Sequence, residues 1–143
     1  MTNPNAPIAF EDLHEGMTAS LDRTVTDEDI AQFAKVTGDN NPLHFDAEFA
    51  ATTVFGEPIA HGMISAGYIS AAIATQLPGP GTIYLSQQLK FKAPVRSGDT
   101  VTTRVTVAAV DGARRRVRLE TTCSVGDDVV LEGEALVLVP ERA

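Results

Sequence analysis

Between Gly62 and Leu77 the chain reads GMISAGYISAAIATQL, 16 residues without a charge. Met63, Ile64, Ala66, Ile69, Ala71, Ala72 and Ile73 point in most directions round a helix, so no clean polar face is left for solvent. A helix of that kind is expected to be buried on nearly all sides. At the α-helical rise its length is about 24 Å, the width of a small domain. It falls short of the roughly 20 predominantly apolar residues of a membrane span and carries Ser65, Ser70, Thr75 and Gln76. The PGPG at 78–81 ends it sharply. The rest of the chain must therefore supply a cover for one central helix.

That cover reads as β-structure. Val101, Thr103, Val105 and Val107 alternate with Thr102, Arg104 and Thr106. A DG pair at 111–112 predicts a hairpin turn. Val117, Leu119, Thr121, Cys123 and Val125 then alternate with Arg116, Arg118, Glu120, Thr122 and Ser124, and GDD at 126–128 turns the chain into a strand over Val129–Val139. A further strand is predicted within Thr82–Pro94. Consecutive strands on tight turns make an antiparallel sheet, and one long sheet with one apolar helix predicts an α+β domain in which the sheet wraps the helix.

Two smaller helices precede the central one. Thr26 with Asp29 three residues on forms a capping box, Ile30, Phe33 and Ala34 give one apolar face, and Gly38 suits the C-terminal cap. A short helix is expected over Ala47–Ala51. With 143 residues, 43% of them apolar, and no linker or repeat, the chain is expected to be a single domain over 1–143.

A net charge of −8 argues against nucleic acid as a partner, because phosphate binding needs a basic face. Cys123 is the one cysteine, so no internal disulfide or zinc signature exists, and a reducing, cytoplasmic setting is expected. The start, MTNPNAPIAF, lacks the basic residues and apolar run of a signal peptide.

The chemistry concentrates in TGDNNPLHFD, Thr37 to Asp46. Asp39 and His44 lie five apart with Pro42 between them. Proline disfavours helix at Asn41, so the pair is not simply stacked along a helix, and an extended or turned loop could aim both side chains into one cleft. A carboxylate beside an imidazole can hold a water, take its proton and return a proton elsewhere. Asp, Asn and Pro are equally ordinary turn formers, and spacing alone leaves that reading open. At His61-Gly62 the apolar run begins. A glycine at a helix start exposes its N–H where the helix carries partial positive charge, which suits an oxyanion; the bland reading is a glycine easing a turn, with His61 satisfied in the core.

Other chemistries are weaker. His44, Asp46, His61 and Asp39 offer metal ligands but no HxxxH-type spacing, and no G-x-S-x-G supports a serine hydrolase. Ser70 lies mid-helix and by default bonds back to a carbonyl. Lys90 and Lys92 lie on one face of their strand, with Arg96 just beyond, and Arg114, Arg115 and Arg116 follow the hairpin turn. Both groups read either as solvated strand edges or as a phosphate dock.

The joint pattern VTGDNNPLHFD, then FGEPIAHGM, continued through LPGPGTIYLSQQLKFKAPVRSGD, resembles the MaoC-like, R-specific enoyl-CoA hydratase family. The resemblance implies a hot-dog fold, an antiparallel sheet wrapped round a long helix, and reversible syn hydration of a trans-2-enoyl-CoA to an (R)-3-hydroxyacyl-CoA. It implies Asp39 and His44 as the catalytic pair, Gly62 as the donor to the thioester oxygen, Ser70 shaping the site and Asn41 fixing the loop. Lys90, Lys92 and Arg96 become possible contacts to the phosphates of coenzyme A. The implied substrate is an acyl-CoA thioester, with coenzyme A as its carrier and no metal or other cofactor. A homodimer, or a dimer of dimers, is expected. A dehydratase acting on acyl-carrier-protein thioesters, a thioesterase and a non-catalytic acyl-CoA-binding module are the alternatives.

Overall fold

The computed structural model describes residues 8–141. After a 3₁₀ turn at Phe10–Asp12 come β1 (Thr18–Thr24), α1 (Asp27–Thr37), a second 3₁₀ turn (Pro42–His44), α2 (Ala47–Ala51) and α3 (Gly62–Thr75). The strands β2 (Ile83–Phe91), β3 (Thr100–Asp111), β4 (Arg116–Val125) and β5 (Asp128–Leu138) follow. The five strands form one antiparallel sheet in the order β1-β3-β4-β5-β2.

The period-2 pattern decides which face of the sheet meets the helix. Val101, Thr103, Val105 and Val107 of β3 are buried, as are Val117, Leu119, Thr121 and Cys123 of β4. Ile64, Ile69, Ala72 and Ile73 of α3 complete the same cluster. α3 lies chiefly on β3, with β1 and β4 on either side. Burying one such aliphatic side chain contributes about 1.5–3 kcal/mol, so this seam is the main source of stability. The wrapped arrangement is the expected hot-dog fold.

The local signals hold at the ends of the helices. Asp29 N donates to Thr26 Oγ1 at 3.1 Å and Thr26 N to Asp29 Oδ2 at 3.0 Å, the reciprocal capping box. Gly38 ends α1 in the left-handed region at φ 80°, which turns the chain into Asp39. α2 occupies Ala47–Ala51 as expected.

Three features differ from expectation. β1 was not predicted, because TASLDRT is mostly polar. It is an edge strand paired only with β3, held in register in part by the hydroxyl pairs Thr18–Thr106 (3.2 Å) and Thr24–Thr100 (2.8 Å). The strand carrying Lys90 ends at Phe91, so Lys92 lies just beyond it, with its N–H donating to the Val130 carbonyl at 2.8 Å. α3 is not buried all round within one chain. Met63, Gly67, Ser70, Ala71 and Ala74 form an exposed stripe, because a five-stranded sheet covers only one side of the helix. Edge strand β2 likewise leaves Ile83, Tyr84, Leu85 and Phe91 exposed. It can approach β5 closely because Gly133 has no Cβ; one there would collide with the Gln88 carbonyl.

Candidate active site

The loop after α1 is built from side chains that satisfy its own backbone. Asp39 N donates to Thr37 Oγ1 at 3.1 Å, Asn41 N to Asp39 Oδ1 at 3.3 Å, and Leu43 N to Asn41 Oδ1 at 3.0 Å. Pro42 opens the 3₁₀ turn that follows. The turn-forming reading of Asp39 and Asn41 is therefore correct: Oδ1 of Asp39 shapes the turn, while the residue as a whole stays exposed. Asp46 is engaged elsewhere. Its Oδ1 accepts from Glu48 N and Phe49 N at the start of α2.

His44 ends the 3₁₀ turn, with Nδ1 at 2.7 Å from the Ile59 carbonyl. A carbonyl only accepts, so Nδ1 carries the hydrogen and Nε2 presents a lone pair. His61, 3% exposed, lies beneath it. Its Nε2–H donates to the Asp39 carbonyl at 3.0 Å, and its ring stacks on His44 at 3.8 Å between centroids and 32° between planes. Phe33 of α1 contacts the His61 ring at 4.7 Å. Polar atoms of Asp39, His44 and His61 all lie within 4.8 Å of one another, close enough for one water to touch a carboxylate and an imidazole together.

This trio is also where a cation would find ligands. The geometry suits it poorly. Imidazole lone pairs lie in the ring planes, and two rings stacked nearly face to face do not both aim at a point about 2.0–2.1 Å from each nitrogen.

Gly62 follows His61 directly and opens α3. The first N–H groups of any helix lack intrahelical partners. Thr26 and Asp46 cap α1 and α2, whereas His61 makes no side-chain cap to α3; Ile64 N–H donates to the His61 carbonyl at 3.1 Å, and among the described residues the N–H groups of Gly62 and Met63 have no partner. A Cβ here would stand 2.6 Å from the ring of Phe91, so with any larger residue that exposed ring would have to move. A cavity of about 310 Å³ runs from this point, lined by Phe55, Ile59, Gly62, Ser65, Phe91 and Lys92 among others.

Ser70 does not join this group. It sits on the exposed stripe of α3, about 12 Å along the helix from Gly62. Among the described residues its hydroxyl makes no hydrogen bond, to a carbonyl or otherwise; the buried Ser65 lines the cavity instead. Of the cations, Lys92 reaches the cavity but pairs with Glu132 at 3.5 Å, and Arg96 pairs with Glu57. Lys90 is exposed and, among the described residues, forms no ion pair. The triple arginine divides. Arg115 binds the carbonyls of Val139 and Pro140 and covers the Phe10 ring, a structural role, while Arg114 and Arg116 stay at the surface near Asp111. Cys123 is buried with Sγ 3.6 Å from the Ser65 carbonyl, and burial pushes its thiol up, so it is not a nucleophile.

Residues 10–129 match the family described as MaoC like domain. The chain is 55% identical over 133 residues to an (R)-specific enoyl-CoA hydratase of Rhodospirillum rubrum, covering 93% of this chain and 92% of that protein. It is equally 55% identical to a 3-hydroxybutyryl-CoA dehydratase of Methylorubrum extorquens, over 93% of this chain and 85% of that one. Among solved structures, an (R)-hydratase from Aeromonas caviae involved in PHA biosynthesis superposes with a TM-score of 0.87 at 42% identity, over 91% of this chain and 99% of that one. With the wrapped sheet, the Asp39–His44 loop and the open end of α3 in place, the chain belongs to the MaoC-like domain family.

Proposed function

We propose that this protein, as a single MaoC-like hot-dog domain, is an R-specific enoyl-CoA hydratase, adding water reversibly across a trans-2-enoyl-CoA to give an (R)-3-hydroxyacyl-CoA. The observation that carries the reading is the meeting of Asp39 and His44 within 4.8 Å, beside the uncapped start of α3 at Gly62. Dehydration of a 3-hydroxyacyl-CoA is the same reaction run backwards, so the names of the two 55% relatives describe one chemistry. Both names specify coenzyme A, which favours it over a carrier protein.

The carboxylate of Asp39 and the Nε2 lone pair of His44 hold one water between them. As its oxygen bonds to C3, the pair takes one proton from the water and delivers one proton to C2 on the same face. The pair ends in the protonation state in which it began. Negative charge passing through the thioester oxygen is met by the Gly62 N–H and the positive end of α3. One such donor typically contributes about 3–4 kcal/mol to lowering the barrier. Asn41 holds the loop that presents both groups. The mechanism uses no metal or redox cofactor, and coenzyme A enters as the carrier of the substrate.

Asp39→Asn and His44→Gln are each expected to lower kcat for crotonyl-CoA hydration by about two orders of magnitude or more, with the fold retained by circular dichroism. Near-native turnover by either folded variant refutes the assignment.

The whole protein repels a polyphosphate carrier, so a local cation must offset its charge of −8. Lys92 and Arg96 already face carboxylates, which leaves Lys90 the foremost contact. Lys90→Ala is expected to raise KM for crotonyl-CoA roughly two- to fivefold at low salt with kcat within about twofold, the behaviour of an exposed charge pair. A crotonyl-pantetheine thioester, lacking the nucleotide phosphates, should be unaffected; an equal loss with both substrates shows that Lys90 does not read phosphate.

A homodimer is part of the same reading. The exposed stripe of α3 is apolar and small, and beside it a concavity of about 360 Å³ carries Val36, 84% exposed, and Met63, 52% exposed. Such a face asks for a cover, and a second copy is the commonest one. Light scattering is expected to give about twice 15.2 kDa; an active monomer at micromolar concentration contradicts the dimer. Charge, a lone buried thiol, and the absence among the described residues of any helix able to cross a membrane support a cytoplasmic setting.

A further inference from the structure

His61 is buried, yet it is a poor choice of core residue. Its Nδ1 has no hydrogen-bond partner among the described residues. Leaving a buried polar atom unpaired is costly, and an aliphatic side chain would fill the same space without that cost. What an aliphatic residue cannot do is what the other edge of the ring does. Nε2–H grips the backbone carbonyl of Asp39 from 22 positions along the chain, at 3.0 Å. At the same time one ring face carries His44 at 3.8 Å, and Phe33 contacts the ring at 4.7 Å. One side chain thus touches both members of the acid–base pair, and its own backbone leads into Gly62.

The loop needs such an anchor. Asp39 and Asn41 are exposed, and the hydrogen bonds that shape the turn are local ones between neighbours. Local bonds fix the curvature of a turn but not its position against the rest of the protein. Among the described residues, two polar contacts tie the pair's own residues to the chain beyond Pro58, His44 Nδ1 to Ile59 and His61 to Asp39, beside a longer one from Ile59 N–H to the neighbouring Leu43 carbonyl at 3.4 Å. A misplacement of about 1 Å at a reacting group costs on the order of a hundredfold in rate.

We infer that His61 is the positioning residue of the active site, its Nε2–H fixing the Asp39 backbone and its ring face seating the His44 imidazole against the start of α3. The inference rests on Asp39 and His44 being the acid–base pair. His61 touches neither water nor substrate, and it acts through the two groups it holds.

The test compares two amides that differ by one methylene. Gln places its Nε2–H donor near where His61 carries Nε2–H; the Asn Nδ2–H is too short to reach the Asp39 carbonyl. Kinetics of crotonyl-CoA hydration are measured for His61→Gln, His61→Asn, Asp39→Asn and the double variant Asp39→Asn/His61→Asn, each checked for native circular dichroism. His61→Asn is expected to lower kcat at least thirtyfold with KM within about threefold. His61→Gln is expected to keep a kcat at least tenfold above that of His61→Asn. In the Asp39→Asn background, His61→Asn is expected to cost less than about threefold further, because groups that work as a unit are not additive. Equal kcat for the Gln and Asn variants, or a full additional loss in the double variant, overturns the positioning role. If His61→Asn does not fold, His61→Gln alone decides, a kcat more than a hundredfold below native counting against the donor. Native activity in Asp39→Asn fails the acid–base reading itself, a different result from native activity in His61→Asn beside an inactive Asp39→Asn.

Discussion

Everything in this fold follows from where α3 can be buried. Its sequence has no charge between Gly62 and Leu77, so it cannot lie on a surface by itself. The curved inner face of five strands gives it one covered side, through Ile64, Ile69, Ala72 and Ile73. Burial of that side fixes the axis of the helix, and the axis fixes where its N-terminus emerges. The loop from α1 must then arrive at that same end for a reaction to occur there. His61 is the joint: it belongs to the entry of α3, and it reaches back to Asp39 and His44.

The site also shows how one residue type serves two ends. Asp39 shapes a turn with one carboxylate oxygen while the residue stays exposed. Asn41 caps the 3₁₀ turn that presents His44. His44 spends Nδ1–H on the Ile59 carbonyl, and that bond fixes which edge of the ring faces away from the chain. Pre-organisation here is inexpensive because the positioning bonds are the ordinary bonds a tight turn makes anyway. The helix end supplies the remaining element. α1 and α2 have first-turn donors capped by the side chains of Thr26 and Asp46, while α3 starts without a side-chain cap, at a glycine.

Much of this was legible in the sequence because it is local. The capping box at Thr26, the short helix at Ala47–Ala51, the alternation of β3 and β4 and the hairpin at Asp111-Gly112 are set within a few residues of one another. β1 was not, since its alternation rests on only two apolar residues, Ala19 and Leu21, among polar ones. The exposed stripe of α3 was not either: hydropathy reports that a face must be covered, without saying whether the cover is the same chain. His61 was the hardest. Read in line, it is a histidine before an apolar run, equally a core residue or a site residue. Only the fold brings it onto Asp39 and His44, so its contacts are tertiary and leave no spacing to read. Ser70 shows the converse, a position singled out by resemblance that lies outside the cavity of the single chain. The pairing of Lys92 and Arg96 with Glu132 and Glu57 was equally invisible, because the carboxylates lie far off in sequence.

The central claim is that Asp39 and His44 work from one face of the substrate, guiding the oxygen of one water to C3 and a proton to C2 on that same face. Hydration of trans-crotonyl-CoA in D₂O, followed by NMR of the 3-hydroxybutyryl-CoA formed, reads this directly from the relative configuration of the two new bonds. The account predicts deuterium at C2 on the same face as the oxygen at C3, with R configuration at C3. Anti addition, or deuterium on both faces of C2 in the first-formed product, would contradict it.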